Sequence, residues 1–191
     1  LTDVDGSITE LRRAVNDLGA RGVQIFTHIA GTPLDDPRFE PFYATAAELE
    51  IPIWLHPVRN ASMPDFPGES KSRFEMWWCF GWPYETSVTM VRLVFSGLFD
   101  RYPELKFVTH HLGGMIPYYD GRVGPGLQVL GQRTSDEDYS EVRAARKRPQ
   151  RDDRKEFYAD TAMFGGGIHA IRCGLDFFGS DHVVFATDTT L

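Results

Sequence analysis

The chain has 191 residues, 42% of them hydrophobic, which is enough to bury one sizeable core and too little to indicate two domains. Its formal net charge of -7 disfavours binding to a polyanion, so we expect no nucleic-acid partner. No apolar run approaches the roughly 20 residues that cross a bilayer, so we expect no membrane partner either. Cys79 and Cys173 stand alone and no secretory leader is recognised, which predicts two buried thiols and a cytoplasmic protein.

The first quarter of the chain predicts a helix, a strand and a second helix. Ser7 and Glu10 have the spacing of a capping box, and the apolar residues that follow recur at helical intervals. Residues 23–27 predict a short strand. Residues 36–49 open with an Asp-Pro pair, which is typical of a helix start, and continue with helical spacing.

The middle of the chain predicts two further strands separated by a helix. Residues 51–55 are uniformly apolar, as in a strand of a parallel sheet that is covered on both faces, and His56 follows directly. Residues 85–102 carry an apolar stripe at helical spacing. Residues 106–109 then predict a strand, which runs into two consecutive histidines.

The last part of the chain repeats the pattern. Residues 157–162 predict a strand, residues 167–178 a helix and residues 183–187 a final strand. Asp188 comes directly after that strand. Together the segments give five strands with helices between them.

The order of these elements predicts an α/β fold with a parallel sheet, because strands separated by helices form βαβ crossovers. His56, the pair His110 and His111, and Asp188 each follow a strand at its carboxyl end. In a (β/α)8 barrel these ends meet at one mouth, where catalytic groups collect. An open doubly wound sheet would favour a glycine-rich phosphate loop, and no G-x-G-x-x-G motif follows an early strand. The sequence therefore favours a (β/α)8 TIM barrel.

The residues that follow the strands suit metal chemistry. Imidazole and carboxylate groups bind Zn, Mn or Fe, so His56 and Asp188 are candidate ligands. His110 or His111 is a candidate for proton transfer, since imidazole titrates near neutral pH. Each position also has a simpler interpretation: a histidine after a strand often bonds a backbone carbonyl, and Asp188 could cap a following helix.

Three segments, in this order, carry a family resemblance: IPIWLHP, FVTHHLGGMIPYYDGRV and VVFATDTTL. They resemble the amidohydrolase superfamily, in the branch related to aminocarboxymuconate-semialdehyde decarboxylase and γ-resorcylate decarboxylase, and the likeness covers nearly the whole chain. It implies that His56 and Asp188 are metal ligands after the fifth and eighth barrel strands. It also implies that His111 is the catalytic histidine after the sixth strand, with His110 as the second choice. Arg122 matches a position that holds a substrate carboxylate in some members, although a surface arginine is the alternative.

The chain departs from the family pattern at one place. The family's first strand carries a His-x-His pair that completes the metal site, and no His-x-His occurs in this sequence. We therefore expect residues 1–191 to form a single, partial barrel domain that contains the fourth to eighth strands. By itself such a chain would expose a sheet edge and retain metal weakly, with little activity.

The resemblance implies a metal-dependent, nonoxidative decarboxylase that acts on a small unsaturated or aromatic carboxylic acid. Its cofactor would be a divalent metal, with Zn expected first and Mn or Fe as alternatives. A metal-dependent hydrolase or hydratase of the same superfamily is the first alternative function, and a non-catalytic barrel fragment is the second. The family likeness also suggests a homodimer.

Overall fold

The computed structural model describes residues 1–133, 136, 138–145, 156–163 and 167–188. Its helices are α1 (Val4–Asn16), α2 (Glu40–Glu48), α3 (Met76–Cys79), α4 (Gly81–Phe95), α5 (Leu98–Arg101), α6 (Asp120–Gln128), α7 (Ser140–Ala145) and α8 (Ile168–Phe178). Its strands are β1 (Val23–Phe26), β2 (His28–Ile29), β3 (Thr32–Pro33), β4 (Ile53–His56), β5 (Phe107–Thr109), β6 (Phe157–Asp160) and β7 (Val183–Val184). Short 3-10 turns occupy Pro37–Phe39, His111–Gly113 and Ser180–His182.

Five of the strands form one parallel sheet in the order β1-β4-β5-β6-β7. This order follows the chain, so each strand lies beside the next one, and helices occur in the connections. The prediction of an α/β fold with a parallel sheet is confirmed. The sequence did not predict the small antiparallel pair of β2 and β3, which lies between β1 and the first turn.

The two faces of the sheet differ in burial. Side chains alternate between faces along a strand, and Ile53, Leu55 and Phe107 share the face that is fully buried. On that face Phe107 packs against Phe99 of α5, with ring centroids 5.8 Å apart. On the opposite face Phe26 is 45% exposed. In β4, for which both faces were expected to be covered, Ile53 and Leu55 are buried and Trp54 on the opposite face is half-buried.

The first helix begins earlier than its sequence pattern predicts. Asp3 is the N-cap, and its carboxylate accepts a hydrogen bond of 3.0 Å from the backbone N–H of Gly6. The predicted capping box is wrong, because Asp3 already satisfies the first turn. Glu10 instead pairs with Arg13 one turn along the same helix, at 2.7 Å.

Two other predicted elements are shorter than expected. The helix predicted over residues 85–102 is divided at Gly97, whose φ of 72° ends α4 before α5 begins. The last strand is limited to Val183–Val184. Beyond this strand, the side chain of Thr161 takes the place of backbone hydrogen bonds to Ala186. Its hydroxyl accepts from Ala186 N at 3.0 Å and donates to Ala186 O at 2.7 Å.

The two cysteines are less buried than predicted. Cys79 is exposed at the end of α3, so the prediction of a buried thiol there is wrong, while Cys173 on α8 is half-buried. Across the described ranges, no helix is both long enough and apolar enough to span a bilayer.

Candidate active site

The carboxyl ends of β4, β5 and β6 bring three histidines and a buried carboxylate together. The ring centroid of His56 lies 5.0 Å from that of His110 and 5.5 Å from that of His111. The strand register places His56, His110 and Asp160 in one row across the sheet, since Leu55, Thr109 and Ala159 pair directly before them. The structure thus brings together the histidines that the sequence singled out.

His56 ends β4 and keeps one ring nitrogen free. Its Nδ1 lies 2.6 Å from the carbonyl oxygen of Pro57, and because a carbonyl only accepts, Nδ1 carries the proton. The lone pair is then on Nε2. Partial burial lowers the pKa of His56 below its ordinary value, and the charges of His110 and His111 act in the same direction, whereas the Pro57 carbonyl and Asp188 oppose the shift. Burial therefore favours the neutral imidazole, which is the form that binds metals.

His111 begins the turn after β5 in an unusual backbone conformation. Both His111 and Leu112 have left-handed φ angles, 58° and 51°. The ring Nδ1 donates to the carbonyl of Ala162, which follows β6. Nε2 is buried, and within the described ranges it has no hydrogen-bond partner. An orphaned buried nitrogen at this position is suited to a ligand or a transferable proton.

Asp160 is the functional residue that sequence reasoning left out. Its Oδ2 lies 2.6 Å from Nδ1 of His110, and its Oδ1 accepts from the backbone N–H of His111 at 2.9 Å. The strand predicted over residues 157–162 placed Asp160 inside the strand, whereas β6 ends at Asp160 and puts it level with His56.

Glu85 on α4 holds the segment that follows His56. Its Oε2 accepts from Val58 N at 2.7 Å, from Arg59 N at 3.0 Å and from the hydroxyl of Thr27 at 2.5 Å. Its Oε1 lies 3.6 Å from Nε2 of His28. The structure shows that Glu85 joins β1, the loop after β4 and α4.

Trp82, near the start of α4, packs over the histidines. Its ring centroid lies 5.3 Å from that of His56, and its plane is parallel to the ring of His111. Trp77 and Trp78 pack against Trp82 at 5.5 Å and 6.4 Å. The three tryptophans therefore form an aromatic cluster, and Trp82 is its member in contact with the site.

Asp188 and Arg122 are the two candidate residues at the edges of this arrangement. Asp188 is exposed and has a left-handed φ of 54°, and its charge reaches His56, where it opposes the lowering of the pKa. The structure therefore places Asp188 within electrostatic range of His56. Arg122 lies exposed on α6, in agreement with the surface alternative, and its contact with a substrate stays a prediction.

His56 and Asp188 provide some of the ligands that a metal site needs. His56 offers Nε2, and the carboxylate of Asp188 is near enough to favour the charged form of His56. No group of three or more His, Cys, Asp or Glu side chains in the described part of the chain is arranged to hold a metal ion. His56 and Asp188 therefore suit a cation only together with further ligands.

The strand-end histidines lie at the carboxyl edge of a parallel sheet, which is where (β/α)8-barrel enzymes place their active sites. A sequence model of the family described as Amidohydrolase matches residues 1–190. The chain therefore belongs to the amidohydrolase family.

Three curated relatives match about two thirds of the chain. The 2-amino-3-carboxymuconate-6-semialdehyde decarboxylase of Dictyostelium discoideum is 33% identical over 125 residues, which are 65% of this chain and 33% of that protein. The γ-resorcylate decarboxylase of Rhizobium sp. strain MTP-10005 is 37% identical over 133 residues, which are 64% of this chain and 39% of that protein. A 2-keto-4-carboxy-3-hexenedioate hydratase of Sphingobium sp. is 29% identical over 139 residues, 70% of this chain and 38% of that protein.

A solved structure has the same arrangement of elements. The 5-carboxyvanillate decarboxylase of Novosphingobium aromaticivorans, complexed with manganese and 4-hydroxy-3-methoxy-5-nitrobenzoic acid, superposes with a TM-score of 0.78 at 26% identity. The match covers 97% of this chain and 51% of that one. The chain thus spans about half the length of the solved relative and less of the curated relatives.

Proposed function

We propose that this chain supplies the proton-transfer half of a metal-dependent, nonoxidative decarboxylase that acts on an aromatic or unsaturated carboxylic acid. The observation that carries the proposal is the pairing of His56 and His111 at adjacent strand ends, with Nε2 of His111 buried and orphaned among the described residues. The decarboxylases among the relatives of this chain support the choice of reaction.

His111 is the proposed catalytic residue, because its geometry separates the roles of its two nitrogens. Nδ1 is held by the carbonyl of Ala162, so proton exchange is left to Nε2. In a nonoxidative decarboxylation the bond from a carbon to its carboxylate breaks, the electron pair stays on that carbon, and a proton replaces the lost CO2. We assign delivery of that proton to Nε2 of His111.

His56 and Asp188 are the proposed metal ligands. A divalent cation bound there would polarise an oxygen of the substrate. Imidazole and carboxylate ligands suit Zn, as the sequence led us to expect, and manganese is bound in the solved relative. Metal analysis by inductively coupled plasma mass spectrometry after exchange against equal Zn2+ and Mn2+ distinguishes the two.

The five-stranded sheet is best explained as the fourth to eighth strands of a (β/α)8 barrel, with residues 1–191 as a single, partial domain. The strands are parallel and neighbour one another in chain order. One face is apolar except for Thr109 and packs against helices, whereas Phe26 and Val184 on the other face are 45% and 39% exposed. A barrel interior has this second face as its lining.

Substrate and assembly complete the proposal. Arg122 is a candidate for binding the substrate carboxylate, since guanidinium and carboxylate groups pair with two parallel hydrogen bonds. The expected partner is a small carboxylic acid. A homodimer and a cytoplasmic location stay predictions, and sedimentation analysis of the purified protein tests the first.

The decisive experiment measures CO2 release from 2,6-dihydroxybenzoate and a panel of other hydroxybenzoates, with a polypeptide that carries this chain together with the remaining barrel strands and is loaded with Zn2+ or Mn2+. We expect release from at least one acid, and a loss of about 100-fold or more in His111→Asn. His169→Asn, which alters an exposed histidine of α8, is the matched control. Metal-loaded, folded protein that releases no CO2 from any acid of the panel would contradict the proposal.

A hydratase is the second candidate, and the matching hydratase from Sphingobium favours it. Hydration of a conjugated double bond removes ultraviolet absorbance and releases no CO2. The same samples, followed by absorbance with unsaturated keto acids, therefore separate the two reactions.

A further inference from the structure

The most completely buried acidic side chain among the described residues near the site is Asp160, which is 1% exposed. It has three donors around it. Oδ1 accepts from His111 N at 2.9 Å and from Ala162 N at 3.1 Å, and Oδ2 lies 2.6 Å from Nδ1 of His110. Burying a carboxylate is costly unless donors replace its water, so these three contacts are what keeps Asp160 in place.

The contact with His110 fixes where that ring carries a proton. An ionised carboxylate oxygen only accepts hydrogen bonds, so the proton between the two groups belongs to Nδ1 of His110. On its other side, Nε2 of His110 lies 3.3 Å from the side-chain amide of Gln24 on β1. The ring of His110 is thus held between β6 and β1 and faces His56 at 5.0 Å.

The contact with His111 fixes its backbone. Oδ1 of Asp160 binds the N–H of His111 and the N–H of Ala162, and the carbonyl of Ala162 accepts from Nδ1 of the His111 ring. The turn that contains His111 and the segment that follows β6 are therefore joined by hydrogen bonds from both sides. A left-handed φ is unfavourable for His111 and Leu112, and such conformations persist only where surrounding contacts enforce them. Asp160 provides the anchor for that conformation.

We propose that Asp160 is a positioning residue of this site: its buried carboxylate sets the protonated nitrogen of His110 and holds His111 in the conformation that leaves Nε2 available. The importance of this arrangement for proton transfer rests on the proposed decarboxylase function. The positioning itself is a property of the folded chain and can be tested without activity.

The first test is nitrogen-15 NMR of the histidine rings in the full chain, with His110 assigned through the loss of its signals in His110→Gln. We expect Nδ1 of His110 to be protonated. In Asp160→Asn the amide oxygen must face the two backbone N–H groups, so the amide NH2 faces Nδ1 and donates to it. The proton of His110 should therefore leave Nδ1, while the exposed control Asp176→Asn changes nothing.

The second test compares kcat and KM of the metal-loaded proteins. Asp160→Asn should lower kcat at least about 10-fold with KM changed less than about 3-fold, because the substrate still binds while a histidine is misplaced. An unprotonated Nδ1 of His110 in the unaltered protein overturns the proposal even if Asp160→Asn fails to fold. The proposal is also overturned if Asp160→Asn folds and keeps the histidine NMR signals or the kcat of the unaltered protein. If the unaltered protein lacks decarboxylase activity, the proposed function fails and the NMR result still decides the positioning.

Discussion

The indole ring of Trp82 and the imidazole ring of His111 are parallel to within 1°, with their centroids 6.2 Å apart. The indole Nε1–H donates to the carbonyl of Arg59 at 2.8 Å, which fixes the ring against the segment that follows His56. Trp82 thus links the loop after β4 to the residue proposed to move a proton. It also places a flat apolar surface beside both histidines.

Replacing Trp82 with leucine should weaken the binding of aromatic acids. The loss of an aromatic contact worth about 0.5–1.5 kcal/mol should raise KM about 2- to 12-fold, with a smaller effect in Trp82→Phe, which keeps a ring. Steady-state kinetics with the best substrate of the hydroxybenzoate panel measure this. Trp78→Leu is the control, because it removes an indole ring that packs against Trp82. Equal KM values in the two leucine variants would argue against a role for Trp82 in binding.

Two replacements of Glu85 should show how much its hydrogen bonds contribute to stability. In Glu85→Gln one amide oxygen can still accept from Thr27, Val58 and Arg59, so we expect a small loss of stability. In Glu85→Leu these donors lose their acceptor in a partly buried place, which should lower the free energy of unfolding by about 3 kcal/mol. Urea unfolding followed by circular dichroism measures both. A leucine variant as stable as the glutamine variant would show that Glu85 is not an organising residue.

A methyl group at Gly114 should disturb the turn that carries His111. Its φ is 64°, and a Cβ would lie 2.4 Å from the carbonyl oxygen of Pro83 and 3.0 Å from Oγ of Ser87. We expect Gly114→Ala to destabilise the protein by about 2 kcal/mol or more. Gly121→Ala is the matched control, because that position in α6 is open and alanine favours a helix. Thermal unfolding compares them, and equal midpoints would contradict the prediction.

The stability of the metal-free protein should fall as the pH is lowered. The pKa of His56 lies below its ordinary value of 6.5, first because of burial and then because of the charges of His110 and His111, against which the Pro57 carbonyl and Asp188 act. Near and below that value the unfolded chain binds more protons at this position than the folded chain does. The stabilising contribution is therefore complete above pH 6.5 and is lost as the pH falls through the lowered folded-state pKa.

Urea unfolding in EDTA at pH values from about 7.5 to about 5.5 tests this dependence, because ordinary carboxylates titrate mostly below that window. His56→Gln should flatten the dependence on pH, and His169→Gln should leave it unchanged. If His56→Gln keeps the full slope, the lowered pKa of His56 does not cause it.

Much of the fold could be predicted because strands and helices differ in how apolar residues repeat. The apolar run that ends at His56 and the stripe along α4 are strong local signals, and both elements are present. Boundaries were less predictable. Asp3 replaced Ser7 as the cap of α1, and Gly97 divided the helix predicted up to residue 102, because caps and chain reversals depend on single residues whose alternatives are close in energy.

The candidate site was predictable only where a residue directly followed a strand. His56, His110 and His111 satisfied that rule, and the structure brings their rings within 6 Å of one another. Asp160 fell inside the strand predicted over residues 157–162, and its importance depends on contacts with residues about 50 positions earlier. Glu85 lies on a helix, and no local pattern indicates that its carboxylate binds the loop after β4.

The sequence by itself determined the alternation of strands and helices and which residues follow each strand, since hydrophobic periodicity and chain order are local properties. Only the tertiary structure decided which ring nitrogen of each histidine carries the proton, through the carbonyls of Pro57 and Ala162 and the carboxylate of Asp160. The physical reason is that the hydrogen-bond partner of a ring nitrogen decides whether that nitrogen carries the proton. For His110 and His111 this partner lies at the end of a neighbouring strand that is distant in sequence.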